Sequence, residues 1–297
     1  MSPGMDEQPF ISVVIPVWNS PDLIAKCLAA IAVQTYPRNR FEVLVVDNGS
    51  TDETAAVVRS FPFVTLLSEP IASSYRARNR GLRSARGEYV AFTDADCVPG
   101  PQWLAGAGRA ARQHPHAAVL AGHIELFRAD TTGNAACEKY EYAFAFDQAK
   151  NARHGVCVTA NWLSPRRTLL DFGGFDEHLN SGGDWDLCRR IQAAGQPIVY
   201  VPDMLVAHPV RGSLAKLAAK RRRTIGGYWR STRKRWRFLW CSAVLIRRTL
   251  TRTIGTASDR RFTVADRLKV IGVVMALSTV GMAELIRLAC GGETRRT

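Results

Sequence analysis

The order of apolar and polar positions divides this chain into short continuous apolar runs separated by stretches with helical spacing. Residues 10–17 (FISVVIPV) form the first run, β-branched and unbroken, with Pro16 near its end. Such a run predicts a strand buried on both faces. Asn19-Ser20-Pro21-Asp22 then predicts a helix start, with Ser20 as the cap, Pro21 at the first helical position and Asp22 at the positive dipole end. Ile24, Cys27, Leu28 and Ile31 follow at helical spacing, and Tyr36-Pro37 stops the helix. Residues 41–46 (FEVLVV) predict a second strand, and Ser50 with Glu53 a capping box for a helix over 51–60. A third strand over 63–67, a basic helix over 73–85 closed by Gly87, and a fourth strand over 89–96 (YVAFTDAD) come next. A helix over 101–113 and a strand over 119–127 extend the alternation. Continuous rather than alternating apolar strands, each followed by a helix, predict an α/β fold: a mostly parallel sheet flanked by helices, Rossmann-like in its layering.

The second half is patterned less regularly. Residues 135–150 predict one amphipathic helix carrying Tyr140, Tyr142, Phe144 and Phe146, an aromatic set that reads as core or as a sugar-stacking platform. A short strand is expected over 156–160, and a turn at Gly173-Gly174-Phe175-Asp176-Glu177. A helix opens at Asp184, with Leu187, Cys188, Ile191 and Ala194 as its inner stripe and Gly195 at its end. Two apolar pieces, 198–201 and 205–207, precede His208-Pro209.

Open α/β sheets bind ligands outside the carboxyl ends of their strands. Three such ends are polar here: residues 16–19, residues 47–50 and Asp94-Ala95-Asp96. On a strand, positions i and i+2 share a face, so Asp94 and Asp96 are expected to converge. Two carboxylates side by side repel unless a cation lies between them, and a divalent ion carrying a phosphate-bearing ligand would fit. A solvated turn is the competing reading, because Val98-Pro99-Gly100 is turn chemistry. The chain has no G-x-G-x-x-G, no G-x-x-x-x-G-K-[ST] and no G-x-S-x-G, so a dinucleotide fold, a P-loop and a nucleophile elbow are unsupported.

Six segments together carry a family resemblance. Val13-Val14-Ile15-Pro16-Val17-Trp18-Asn19, Val46-Asp47-Asn48-Gly49-Ser50-Thr51-Asp52, Ala77-Arg78-Asn79-Arg80-Gly81, Thr93-Asp94-Ala95-Asp96, Gly173-Gly174-Phe175-Asp176 and Gly183-Asp184-Trp185-Asp186-Leu187 resemble the family-2 glycosyltransferases in content, order and spacing. The likeness covers about residues 10–210. It implies a GT-A fold, a nucleoside-diphosphate sugar donor, a divalent metal (Mg²⁺ or Mn²⁺) and inversion at the anomeric carbon. Transferred residue by residue, it implies that Pro16 and Asp47 line the nucleoside pocket and that Arg78 lies near the nucleotide or its diphosphate. Asp94 would approach the ribose or the metal, and Asp96 would ligate the metal. His208 would close the metal and diphosphate site, and Asp184 would be the catalytic base. Read alone, Asp184 also suits a helix cap, Asp186 an arginine partner and His208 an ordinary loop histidine. One departure stands out: relatives often have Glu before the catalytic Asp, and this chain has Gly183.

Composition changes the picture mainly after His208. The formal net charge of +14 is localised, since fourteen Lys and Arg residues and no Asp or Glu lie between Arg211 and Arg252. The remainder carries as many acidic as basic residues, so the expectation is a neutral catalytic domain over 1–210 and a basic helical region over 211–297. Arg230, Arg233, Lys234, Arg235 and Arg237 interleave with Trp229, Trp236 and Trp240, a composition suited to an anionic membrane surface. RNA would also suit it, but an apolar stretch over 270–283 favours membrane, and no nucleic acid is expected. That stretch is short for a span, which favours an interfacial or re-entrant helix, with a tilted span as the alternative. Seven scattered Cys with no C-x-x-C pair predict reduced thiols, and residues 1–9 lack the pattern of a signal peptide. The expected setting is the cytoplasmic face of the cell membrane, with a polysaccharide or lipid-linked glycan as acceptor. A GT-A-like nucleotidyltransferase, and a non-catalytic RNA- or lipid-binding protein acting through the basic region, are the competing functions.

Overall fold

The computed structural model describes residues 8–129, 132–232 and 235–294. The expectation about a signal peptide, and the basic residues Arg233 and Lys234, therefore fall wholly or mostly outside the described residues.

Strand β1 (Ile11–Val17) leads into helix α1 (Pro21–Ala32), then β2 (Phe41–Asp47), α2 (Thr54–Arg59), β3 (Val64–Ser68), α3 (Ser74–Ser84) and β4 (Tyr89–Thr93). The chain continues through β5 (Val98–Pro99), α4 (Trp103–Gln113), β6 (Val119–Phe127), α5 (Ala135–Phe144), α6 (Gln148–Arg153), β7 (Asn161–Pro165), α7 (Arg166–Asp171), α8 (Gly183–Ala193) and β8 (Ile198–Pro209). Three longer helices close it: α9 (Leu214–Ser231), α10 (Arg237–Ser258) and α11 (Val264–Ala289). Among the described residues the strands form one sheet in the order β3-β2-β1-β4-β7-β6-β8-β5.

The α/β layering follows the sequence, and the sheet is mixed. Strands β3, β2, β1 and β4 are parallel, whereas β7 runs antiparallel to both β4 and β6, and β5 antiparallel to β8. The reason lies in where β7 begins. The Thr93 hydroxyl donates to Ala160 O at 2.9 Å, so the chain reaches the carboxyl end of β4 and turns back along it, pairing Asn161 with Thr93. Residues 156–160, expected as a strand, are this approach, and the strand itself starts at Asn161.

Val13, Val14 and Ile15 of β1 are fully buried, and burying a side chain of this size contributes about 1.5–3 kcal/mol. Helix α3 lies hard against β1: a Cβ at Gly81 would come within 2.3 Å of Val14 Cγ1, so only glycine permits that approach. Other local expectations shift by a few residues. Ser20 precedes α1, but its hydroxyl donates to Trp18 O and does not cap. Ser50 does not form the capping box either, because its hydroxyl accepts the Asn19 amide, and α2 starts later, at Thr54. The aromatic helix is two helices, broken where Phe146 takes a positive φ of 50° and Asp147 caps α6 through Lys150 N. The two pieces before His208 are one strand, β8.

The chain divides into two compact units. One comprises residues up to Leu126, Phe146–His178 and Gly183–His208; the other comprises Phe127–Ala145, Leu179–Gly182 and Pro209 onward. The second unit has its own apolar clusters, with Cys137, Tyr140, Leu217 and Val274 in one and Ile225, Trp229, Leu245 and Leu285 in the other. Helix α11 is long and apolar enough to cross a membrane. Its buried face includes Val270, Val273, Val274 and Leu277, inside the stretch the sequence marked as apolar, and Glu284, which pairs with Arg287 at 2.6 Å.

Candidate active site

Because β1, β2 and β4 are parallel, their carboxyl ends open on one edge, with Val17 in register with Asp47 and Val14 with Phe92. Two loops are tied together there. The Asn19 carbonyl oxygen of the side chain accepts from Thr51 N at 2.9 Å, and the Asn19 amide donates to Ser50 Oγ at 3.0 Å. Asn19 takes a positive φ of 43°, which Asn tolerates better than most residues. Asn48 is buried and donates to Glu69 O and Ile71 O while accepting from Ser73 N. That network fixes the segment entering α3. Asp47, beside it, accepts from Ser50 N and keeps part of its surface open, as does Pro16.

Asp94 and Asp96 do not share a strand face. Strand β4 ends at Thr93, and residues 94–97 form a turn closed by Cys97 N donating to Asp94 O at 3.0 Å. The turn separates the carboxylates by partner. Asp94 is ion-paired with Arg78, whose side chain is 6% exposed, and Asp96 faces His208 Nε2 at 3.4 Å. The two carboxylates cannot share a pleat because the strand ends at Thr93, one residue before the pair.

Arg78 is the buried member of a basic helix, not part of a solvated face. Its guanidinium also donates to Ser74 O at 3.3 Å, and its Nε is buried with no partner. Arg76 and Arg83 pair instead with Glu177, at 3.2 and 3.4 Å. Asn79 explains why two of the sequence segments occur together. Its side chain donates to Phe175 O at 2.8 Å and accepts from Phe175 N at 2.9 Å, which clamps the Gly173-Gly174-Phe175 turn to α3. Arg190 of α8 donates to Gly174 O at 2.7 Å and pairs with Asp186 at 3.0 Å, so Asp186 serves as an arginine partner. The clamp therefore sets where α8 begins, and with it Asp184.

Asp184 sits in the first turn of α8, and its Oδ1 accepts from Trp185 N at 2.9 Å. Protein surrounds it, although part of its surface stays open. That burial pushes its carboxyl above the usual carboxylate range; the Trp185 amide and the Arg78 charge pull it down, and Asp94 pushes it up. The mutual influence shows that Arg78, Asp94 and Asp184 share one electrostatic neighbourhood.

Asp96, Cys97 and His208 bring one potential ligand atom each within 4.8 Å of the others. His208 is buried and lies against the Phe146 ring, with centroids 4.4 Å apart. Burial, and then the charges of Asp96 and Asp94, hold the Cys97 thiol well above the ordinary thiol range. A soft sulfur suits a hard cation less well than a carboxylate oxygen or an imidazole nitrogen. The donor set fits a divalent ion on Asp96 and His208, with Cys97 behind them. Cys97 had no sequence signal beyond its adjacency to Asp96. Tyr75, also unforeseen, stacks on Phe175 at 5.7 Å and occupies the space beside Gly183.

A family model described as Glycosyl transferase family 2 matches residues 12–170, more than half of the chain. The chain belongs to glycosyltransferase family 2. Glycosyltransferase AglE of Haloferax volcanii is 36% identical over 217 residues, 70% of each chain. Pre-mycofactocin glycosyltransferase of Mycobacterium tuberculosis is 29% identical over 226 residues, 71% of this chain but 45% of its own length. The mannosyltransferase PcManGT of Pyrobaculum calidifontis, solved in complex with GDP-Man and Mn²⁺, shares the fold with a TM-score of 0.59 at 23% identity, covering 97% of this chain and 88% of its own. Staphylococcus aureus TarS, residues 1–349 with UDP-GlcNAc, gives 0.57 at 17% identity over 96% and 93% of the two chains. The protein is thus a family-2 glycosyltransferase with a GT-A-type fold, as its six motif segments lead one to expect.

Proposed function

We propose that this family-2 enzyme is a metal-dependent, inverting glycosyltransferase that moves a sugar from a nucleoside-diphosphate donor to a hydroxyl of a polysaccharide or lipid-linked acceptor. The observation that carries the reading is the placement of Asp184, a carboxyl raised by burial, in the same field as Arg78 and Asp94. Asp184 acts as the general base. It takes the acceptor hydroxyl's proton as that oxygen attacks the anomeric carbon on the face opposite the leaving group. A raised pKa suits that role, because a base works best when its pKa approaches the operating pH. Pro16 and Asp47 line the nucleoside pocket, and Asp94 meets the ribose while holding Arg78. Arg78, with an unpartnered buried N–H, attracts the diphosphate. Asp96 and His208 would hold a divalent cation, Mg²⁺ or Mn²⁺, which supplies Lewis-acid stabilisation of the departing diphosphate.

The 1–210 region is the catalytic part in this reading, and 211–297 binds the cytoplasmic face of an anionic membrane. Helix α10 supports the second role. Leu239, Ile246, Leu250 and Ile254 are exposed at helical spacing along it, with Ile254 67% exposed, and Trp236, 69% exposed, stands at its start. An apolar stripe flanked by Arg and Trp suits a helix lying in the headgroup layer. The test is a screen of UDP-, GDP- and dTDP-sugars with Mn²⁺, by thermal shift and by the product released. One donor is expected to stabilise the protein and to yield a nucleoside diphosphate. Release of pyrophosphate would point to nucleotidyl transfer instead.

A further inference from the structure

Helices α5, α9 and α10 of the second unit gather positive charge around one carboxylate. Glu141 is buried and accepts from Arg211 Nη1 at 2.9 Å and from Lys220 Nζ at 3.2 Å. Burial opposes its ionisation, but Lys220 and Arg211 outweigh that and hold its carboxyl below the ordinary range. The neighbouring Tyr140 hydroxyl receives donors from two more guanidinium groups, Arg221 at 3.3 Å and Arg252. A hydroxyl oxygen satisfies such donors without cancelling their charge. Arg223 is near enough to act on Lys220, and its Nε is buried without a hydrogen-bond partner. Arg248 acts on Arg252 in the same way.

The balance is uneven. Glu141 pairs with Arg211 and Lys220 and acts on Arg252, while Arg221 shares the Tyr140 hydroxyl with Arg252; other acidic side chains of this unit are engaged elsewhere: Glu138 with Arg128, Asp266 with Lys139, Asp259 with Arg261 and Glu284 with Arg287. Burial and then the Arg211 charge push the Lys220 ammonium down to about 8, against the pull of Glu141. Arg248 and Arg252 are lowered too, by burial first and then by the charge of Arg221 on Arg248 and by Arg221 and Arg248 on Arg252. Like charges crowded this closely destabilise one another unless an anion joins them. Solvent can reach the cluster, since the side chains of Arg211 and Lys220 are 21% and 28% exposed.

We propose that this cluster is a binding site for a phosphate or diphosphate group, with Arg211, Lys220, Arg221 and Arg252, which the hydrogen bonds to Glu141 and Tyr140 bring together, at its centre, Arg223 and Arg248 at its edge, and Tyr140 fixing the Arg252 fork. Several arginines converging on one spot suit phosphate oxygens, which accept paired N–H donors, better than a single carboxylate. The group is part of a lipid headgroup or of a soluble phosphate compound. The site does not depend on the reading of the donor edge.

The full-length protein is titrated with sodium pyrophosphate in the absence of divalent metal. In parallel it is floated with phosphatidylcholine vesicles containing or lacking phosphatidic acid. Arg223→Gln removes the donor whose Nε is buried without a partner, and Arg248→Gln changes an exposed position of α10. Saturable pyrophosphate binding that weakens at least tenfold in these variants identifies a soluble phosphate compound as the source. A tenfold loss confined to the phosphatidic acid vesicles identifies a headgroup. Donor-nucleotide binding with Mn²⁺ should be unchanged in both variants. Wild-type affinity of both variants for both probes would overturn the proposal.

Discussion

Gly183 stands where family members often carry Glu, and the structure gives that substitution a measurable consequence. A Cβ built at position 183 would lie 2.8 Å from Cε2 and Cζ of Tyr75 and 3.0 Å from its Cδ2. Carbon atoms in contact sit about 3.5–4.0 Å apart, so ring and helix must separate by about 0.5–1 Å. Tyr75 cannot yield freely. It is buried and stacked on Phe175, which packs edge-on against Phe92 at 5.2 Å and against Trp162 at 6.0 Å. Overpacking of this kind costs about 1–3 kcal/mol. If the first turn of α8 moves instead, Asp184 moves with it, and a misplacement of about 1 Å costs on the order of 100-fold in rate. Gly183→Ala should therefore lose stability in urea denaturation, turnover, or both. The cost should vanish in a Tyr75→Ala background, where the ring is gone, giving a coupling of about 0.5–3 kcal/mol in a double-mutant cycle. Gly183→Glu should behave like Gly183→Ala or worse, despite restoring the family's carboxylate. Equal costs of Gly183→Ala in both backgrounds, or no cost in either, would refute the steric argument.

Four further outcomes are expected. Because the Asp184 carboxyl is raised by burial and must be ionised to act, turnover should fall on acidification at a higher pH than an ordinary carboxylate would give. The raised folded-state pKa also means that ionised Asp184 weakens the fold above that pKa, so Asp184→Asn should be more stable than wild type at neutral pH, with the advantage shrinking as pH falls through the folded pKa; a variant less stable than wild type at neutral pH contradicts this. Asp96→Ala should abolish the Mn²⁺-dependent part of donor binding in calorimetry, and an unchanged difference with and without Mn²⁺ would remove Asp96 from the metal site. Replacing Trp236, Leu239 and Trp240 together by Ser should sharply reduce flotation with anionic liposomes while leaving donor-induced thermal shift intact; equal flotation would place the membrane contact elsewhere.

The parallel half of the sheet was readable because β1, β2 and β4 are continuous apolar runs whose burial on both faces leaves a plain hydropathy signal. The antiparallel return of β7 was not. Its direction follows from a hydrogen bond between Thr93 and Ala160, residues 67 apart in sequence, which no local pattern encodes. Caps failed for a related reason: Ser20 and Ser50 have the right local chemistry, but Trp18 O and the Asn19 amide compete for their hydroxyls. At the site, the strand pattern identified the residue types but placed the two carboxylates on one face. Asp94 and Asp96 looked like one unit because they are two apart, yet the turn hands one to Arg78 and the other to His208. Cys97 and Tyr75 were invisible as functional neighbours, since a buried thiol and a buried ring carry the same signal as core. The link from Asn79 to the glycine turn was present only as the co-occurrence of two motif segments.

In the proposed mechanism Asp184 removes the acceptor's proton in transfer from a nucleoside-diphosphate sugar. This role is tested most directly by single-turnover transfer with Asp184→Asn, once the donor screen has supplied a substrate, alongside calorimetric donor binding in the same variant. Transfer should fall by about 100- to 10,000-fold, the usual contribution of a positioned general base, with donor affinity in the presence of Mn²⁺ close to wild type. Transfer at the wild-type rate by Asp184→Asn would contradict it.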